Sequence, residues 1–133
     1  MLLSDADTTL ILETVRDAAR REIMPRFRAL SEADINTKSA PDDLVTAADL
    51  AAEALITAQL GRAFPDALIL GEEAVAADPN LRDQLADAEM AIIIDPVDGT
   101  WNYARGLALF GVILAVTRYG IPVYGLLYDP VID

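Results

Sequence analysis

Five apolar residues, Met90-Ala91-Ile92-Ile93-Ile94, run directly into Asp95-Pro96-Val97-Asp98-Gly99-Thr100. An unbroken apolar run rich in isoleucine and stopped by turn residues reads as a buried β-strand. The strand is expected to end on Asp95, and a turn at Asp98-Gly99-Thr100 brings in a second carboxylate three residues later. Pro96 restrains the backbone between the two acids, and Gly99 permits a sharp bend or the close approach of a ligand. Carboxylates about 4 Å apart repel by roughly 4 kcal/mol at an effective dielectric near 20. A bound cation or a raised pKa relieves that repulsion. An Asx-rich turn with Asp98 as the N-cap of a following helix uses the same residues, and the local sequence leaves both readings open.

Around this strand the chain places helices first and strands afterwards, with no internal repeat and no low-complexity linker. Ile11, Val15, Ala19 and Ile23 recur four apart, which predicts an amphipathic helix from about Ala6 to Met24 that Pro25 closes or kinks. Ser31 to Asp43 is polar and reads as a loop. Thr46 to Ala63 reads as a second helix, ended before Phe64-Pro65. Ala67-Leu68-Ile69-Leu70 is a short apolar run that stops at Gly71-Glu72-Glu73. Residues 74–89 are mixed, with one short helix after Pro79, and Trp101 to Arg105 form one or two helical turns. Gly111 to Arg118 and Val123 to Tyr128 read as strands joined in a hairpin at Tyr119-Gly120-Ile121-Pro122. The order predicts an α+β domain with helices packed on a sheet. Two long helices are few for so apolar a sheet, and one face is expected to lie uncovered.

Composition decides which chemistry the acids can serve. The chain has 133 residues, no cysteine and no histidine. That removes disulfides, thiol nucleophiles, thiolate metal sites and the commonest general base. Any metal must be held by oxygen, which points to Mg²⁺, Mn²⁺ or Ca²⁺. The net charge of −12 disfavours nucleic acid and anionic membranes, because the nine arginines and the single lysine, Lys38, are spread along the chain. No apolar run is long enough to span a bilayer, and Met1-Leu2-Leu3-Ser4-Asp5 has no signal-peptide character. A cytoplasmic protein is the expectation. High alanine with arginine preferred to lysine suggests a GC-rich bacterial genome.

Other acidic positions bear on the Asp95–Asp98 pair. Gly71-Glu72-Glu73 also sets acids at the end of a short strand, and ligands gather at strand ends along one edge of an open sheet. If the ends at Leu70 and Ile94 lie side by side, Glu72, Asp95 and Asp98 converge into an oxygen cage; alone, the paired glutamates fit a solvated turn. Thr46 and Asp49 are three apart at a helix start, a capping box in outline. Lys38 sits in the loop before that helix, where a lysine is ordinarily exposed.

Three strings then occur in order: Asp43-Leu44-Val45-Thr46-Ala47-Ala48-Asp49, Gly71-Glu72-Glu73, and Ile94-Asp95-Pro96-Val97-Asp98-Gly99-Thr100-Trp101-Asn102-Tyr103. Together with Gly125-Leu126-Leu127-Tyr128-Asp129-Pro130-Val131 they resemble the inositol monophosphatase family of Mg²⁺-dependent, lithium-sensitive phosphatases. The third string is the most specific. The resemblance runs over residues 1–133 but covers only about the first half of a typical member. It implies a mainly antiparallel sheet, the N-terminal part of the family's layered sandwich, and a homodimer.

By that resemblance Glu72 and Asp95 are metal ligands, the latter shared between two Mg²⁺, with the Val97 carbonyl on the first metal and Asp98 on the second. Val97, Asp98, Gly99 and Thr100 surround the phosphate, with the Gly99 and Thr100 N–H groups directed at it. Thr100, bonded to Asp49, positions the attacking water together with Glu72, and Lys38 belongs to a loop near the metals. Two or three Mg²⁺, for which Mn²⁺ can substitute and with Li⁺ as inhibitor, would let an acidic pocket accept a dianionic phosphate. A cation lowers the pKa of the attacking water and another stabilises the leaving alkoxide.

One departure is serious. The family's second metal site takes an aspartate from a Trp-Asp-x-Ala-Ala-Gly-like motif, whereas the only tryptophan here, Trp101, is followed by Asn102. The chain alone is therefore expected to be weak or inactive as a phosphatase, and to be an N-terminal half. The expected substrate is a small phosphorylated alcohol such as inositol monophosphate; histidinol phosphate, fructose 1,6-bisphosphate and 3′,5′-bisphosphate nucleotides are the alternatives. A non-catalytic dimerisation or regulatory half-domain is a further one. Haloacid-dehalogenase-type phosphatases space their aspartates by two rather than three. An EF-hand would need acids where Ile94 and Pro96 stand.

Overall fold

A computed structural model describes residues 3–133, so Met1 and Leu2 of the N-terminal stretch lie outside the described residues. The chain folds as an α+β domain with one four-stranded sheet and a separate two-stranded ribbon. Helix α1 (Asp5–Ala18) starts in a capping box: Ser4 Oγ accepts from Asp7 N–H at 3.1 Å, and Asp7 accepts from Ser4 N–H at 3.0 Å. It passes into a π-helical turn at Ala19–Ile23 and a 3₁₀ turn at Met24–Arg26. The strict i+4 spacing of Ile11, Val15, Ala19 and Ile23 explains the wider turn. In a pure α-helix such a stripe drifts around the axis, and the π turn brings Ile23 back toward the line of Ala19; all four are buried at 0–1% exposure. Pro25 begins the closing 3₁₀ turn, where its missing N–H is no loss.

The polar stretch 31–43 is not a plain loop. It holds a 3₁₀ turn, Glu32–Asp34, and strand β1 (Ile35–Thr37), which pairs antiparallel with β2 (Leu44–Thr46). Their few residues carry no period by which the sequence could announce them. Helix α2 (Ala47–Ala63) follows, with Thr46 as N-cap.

The main sheet runs in the order β3 (Leu68–Gly71), β4 (Ala91–Asp98), β5 (Gly111–Arg118), β6 (Ile121–Tyr128). Only β3 and β4 are parallel. Short helices α3 (Glu72–Ala77) and α4 (Thr100–Ala104) follow β3 and β4, and a 3₁₀ segment spans Pro79–Gln84. The hairpin is tighter than expected: Arg118 pairs with Ile121, leaving a two-residue turn in which Tyr119 and Gly120 both have positive φ. Strand β4 does not stop at Asp95 but continues through an irregularity to Asp98. Pro96 is tolerated inside it because a bulge needs no ladder N–H there.

One sheet face packs on α1 and α2. Ile92, Ile94, Val112, Leu114 and Val116 meet Ile11, Val15, Ala52, Ile56 and Leu60, all at most 1% exposed. The opposite face is covered beside β3, where α3 contributes Val75 over Leu70. Farther along it, Leu127 of β6 is 79% exposed, in keeping with the uncovered face expected from the sequence. Among the described residues, no helix is long and apolar enough to cross a membrane.

Tyr103 locks α4 to the end of the first helical segment. It is fully buried, stacks on Phe27, meets Phe110 edge-on, and donates its hydroxyl to the Ile23 carbonyl at 2.7 Å. That carbonyl belongs to a helix end, where the last carbonyls have no N–H of a further turn to accept from. Tyr103→Phe keeps the packing and strands the carbonyl. It is expected to cost about 1–3 kcal/mol, read by calorimetry as a Tm lower by about 4 °C for each kcal/mol.

Candidate active site

The parallel pairing of β3 with β4 sets Leu70 beside Ile93 and Gly71 beside Ile94. The two strands therefore end together, and the residues that follow, Glu72 on α3 and Asp95 on β4, come out at the same edge. The β4 bulge then acts on Asp98. Asp95 pairs with Ile113 and Asp98 with Gly111, so three residues of β4 span two of β5. The extra residue returns Asp98 to the sheet face of Asp95, whereas regular alternation would place it opposite. Both aspartates line an open cavity of about 250 Å³ with Asp42, Asp43, Leu44, Glu72, Val97, Gly99, Thr100 and Trp101.

In this pocket Asp95 sits among other acids, whereas Glu72 and Glu73 have the Lys38 ammonium beside them. Asp95 Oδ1 is buried with no hydrogen-bond partner. Burial, then the hydrogen bond with Glu72 and the negative fields of Glu72, Asp98 and Asp49, push the Asp95 carboxyl up to about 8. Glu73 is raised chiefly by burial, against the pull of Lys38. Lys38 is not a free surface lysine. Its Nζ lies 2.8 Å from Glu73 and 3.5 Å from Glu72, with its side chain 19% exposed. Burial works against its charge, but Glu73, Glu72 and Asp43 outweigh that and raise its pKa.

Among the described residues, no three acids stand close enough together to hold a metal ion as they are placed. The donor set nevertheless fits a hard divalent cation. It is all oxygen, the Asp95 Oδ1 atom is buried without a hydrogen-bond partner, and burial with the neighbouring acids raises the pKa of that carboxyl, which a cation would reverse.

Asp49 forms the inner wall. It is 1% exposed, and burial raises its pKa against the hydrogen bonds that favour its ionised form. Its Oδ2 accepts from Thr46 N–H at 2.9 Å and Thr46 Oγ1 at 2.6 Å, so the capping box foreseen from the sequence is present. Its Oδ1 lies 2.9 Å from Thr100 Oγ1, which is also 2.8 Å from the Val97 carbonyl. Thr46 thus fixes one carboxylate oxygen while the other reaches across to β4. Asp98 is not the N-cap of α4; Gly99 is, at φ 87°, and a side chain there would meet the Leu109 carbonyl at 2.9 Å. Asn102 Nδ2 donates to that same carbonyl at 2.9 Å, closing the loop behind the pocket.

The sequence reading missed Glu53. It lies one helical turn after Asp49 on the buried stripe of α2 formed by Ala48, Ala52, Ile56 and Leu60, and it holds the start of α3. Two acids four apart on an otherwise apolar stripe were the available signal.

The chain and its fold are similar to known proteins. A model of the inositol monophosphatase family matches residues 5–133. The inositol-1-monophosphatase of Mesorhizobium japonicum is 35% identical over 86% of this chain and 41% of its own length. The histidinol-phosphatase of Streptomyces coelicolor is 36% identical over 83% of this chain and 38% of its own. The solved structure of an IMPase from Thermotoga maritima superposes with a TM-score of 0.79 at 25% identity, covering 98% of this chain and 46% of that one. The chain thus spans about two fifths of the length of these curated relatives. With the family model matched from Asp5 to the last residue, the chain belongs to the inositol monophosphatase family.

Proposed function

We propose that this chain carries the metal- and phosphate-binding part of a Mg²⁺-dependent phosphomonoesterase acting on a small phosphorylated alcohol such as inositol monophosphate. The observation that carries the reading is Asp95. It is a half-buried carboxyl with an unpartnered oxygen, held among Glu72, Asp98 and Asp49 where two strands end together. Glu72, Asp95, Asp98 and the Val97 carbonyl would hold the cations. Bound Mg²⁺, or Mn²⁺ in its place, supplies Lewis acidity that lowers the pKa of water and neutralises phosphate charge.

The chain's own groups do the rest. Thr100 Oγ1 has one proton and two acceptors within 3 Å, Asp49 Oδ1 and the Val97 carbonyl. Giving it to Asp49 frees the Val97 oxygen and leaves the Thr100 lone pairs to accept a proton from an incoming water. Asp49 suits that role because burial raises its affinity for protons. Glu72 acts on the same water from the α3 side. The Gly99 and Thr100 N–H groups receive the phosphate, and Lys38 adds a cation at the rim.

The Trp-Asp-x-Ala-Ala-Gly-like motif that the resemblance assigns to the second metal site does not occur in the sequence, so these 133 residues alone hydrolyse slowly. The Streptomyces coelicolor relative favours histidinol phosphate as a second substrate reading. Homodimerisation through the exposed sheet face belongs to the same proposal.

Phosphate release from a panel of sugar, inositol and histidinol phosphates in Mg²⁺ tests the reading. Slow release by the unaltered chain and none by Asp95→Asn is expected, with Mg²⁺ binding in calorimetry weakened by at least about tenfold in the variant. Full family-level activity from an intact 14.3 kDa species would overturn the claim of slow hydrolysis.

A second outcome concerns the metal-free chain. Folded, Asp95 keeps its proton up to about pH 8, whereas the unfolded chain releases it near 3.8. The folded state binds the extra proton between those values, so stability from this group falls as pH rises across that window. Thermal melts without metal from pH 5 to pH 8 should show a falling Tm. Asp95→Asn should flatten the fall, and Asp49 and Glu73, also raised, leave a smaller slope of the same sign.

A further inference from the structure

We propose that Glu53 is a positioning residue that sets the direction of Glu72 by capping helix α3 from outside, and that Gly71 is a glycine to make room for it. The inference rests on the reading of Glu72 as a metal ligand.

Helix α3 begins at Glu72 with Gly71 as N-cap, and glycine has no side chain with which to satisfy the first N–H groups. Glu53 supplies what is missing. One of its carboxylate oxygens accepts from Glu73 N–H at 2.8 Å, the other from Ala74 N–H at 3.0 Å. These are the second and third residues of the helix, so both bonds fix the turn that carries Glu72. The side chain is buried at 8% exposure, and a carboxylate out of water is held by such a pair of donors.

Gly71 has an ordinary extended backbone at φ −84°, so conformational freedom does not explain it. Space does. A Cβ built there would stand 2.1 Å from Glu53 Cδ and 2.5 Å from Oε1, so Glu53 would have to swing away and give up its bonds to α3. The glycine before the paired glutamates is therefore the mould of the Glu53 carboxylate.

Glu53 and Asp49 are one turn apart on α2, and both reach the site. Asp49 engages Thr100 beyond the end of β4, and Glu53 engages α3 at the end of β3. A single rigid helix thereby sets the spacing of the two groups that the proposed reaction places on either side of the water.

Glu53→Gln tests this. The amide keeps one acceptor and the volume of the side chain but turns an N–H₂ toward the other donor. Mn²⁺ binding is measured by titration calorimetry at a temperature where circular dichroism shows the variant folded, beside Glu89→Gln. Glu89 is an exposed acid, so its variant controls for net charge. The expected result is about tenfold or greater loss of affinity in Glu53→Gln and none in Glu89→Gln. A folded Glu53→Gln chain with unaltered affinity would overturn the proposal, since a merely stabilising contact moves Tm and not metal affinity.

Hydrogen exchange on the unaltered, metal-free chain gives an independent reading should the variant not fold. The Glu73 and Ala74 amides are expected to be protected already, and exchange at the rate of exposed loops would overturn the capping contact. If the unaltered chain takes up no Mn²⁺, the metal reading of Glu72 fails, while the amide rates still decide whether Glu53 caps α3.

Discussion

The arrangement of this domain depends on one electrostatic difficulty: several carboxylates are brought together at a sheet edge partly withdrawn from water. Asp95 answers it by keeping its proton to about pH 8, and Lys38 answers it for Glu72 and Glu73 by inserting an ammonium between them. Asp49 is met by Thr46 and Thr100. Each is a partial remedy, and a hard cation among these oxygens would relieve what remains. Membership of the inositol monophosphatase family and the crowding of acids in the pocket both support the proposed metal reading.

Helix α2 converts that chemistry into geometry. Its apolar stripe packs on the sheet through Ala52, Ile56 and Leu60, which holds it rigidly. The two acids on the same stripe then reach in different directions, Asp49 to Thr100 and Glu53 to the start of α3. Burial of such groups is costly unless every oxygen finds a donor. Beyond Thr46, the donors are Thr100 and the N–H groups of Glu73 and Ala74, all far away in sequence, and that ties the core to the site. The two-stranded ribbon closes the arrangement by bringing Lys38 and Asp43 to the rim.

Much of this was legible beforehand. The first helix, the helix over Thr46–Ala63, the strand through Ile92–Ile94 and the hairpin strands all follow from periodicity and turn residues, and the motifs named all of the pocket's residues but Asp42. Three features were not legible. The ribbon strands are too short to carry a period. The bulge between Asp95 and Asp98 depends on the register of β5, which no local string encodes. Glu53 lacked a visible role because its partners are the backbone N–H groups of Glu73 and Ala74, and backbone carries no sequence signature.

The sequence by itself determined the chemistry: oxygen ligands only, since it has neither histidine nor cysteine, and acids placed directly after apolar strands. It also determined the family, through strings whose spacing is specific. Tertiary structure alone decided which acids share a face and which serve the backbone. Parallel pairing brought Glu72 to Asp95, one extra residue in β4 turned Asp98 the same way, and close packing at Gly71 committed Glu53 to α3. The physical reason is that charge and hydropathy are properties of residues, whereas register and contact arise only when distant segments are fixed against one another.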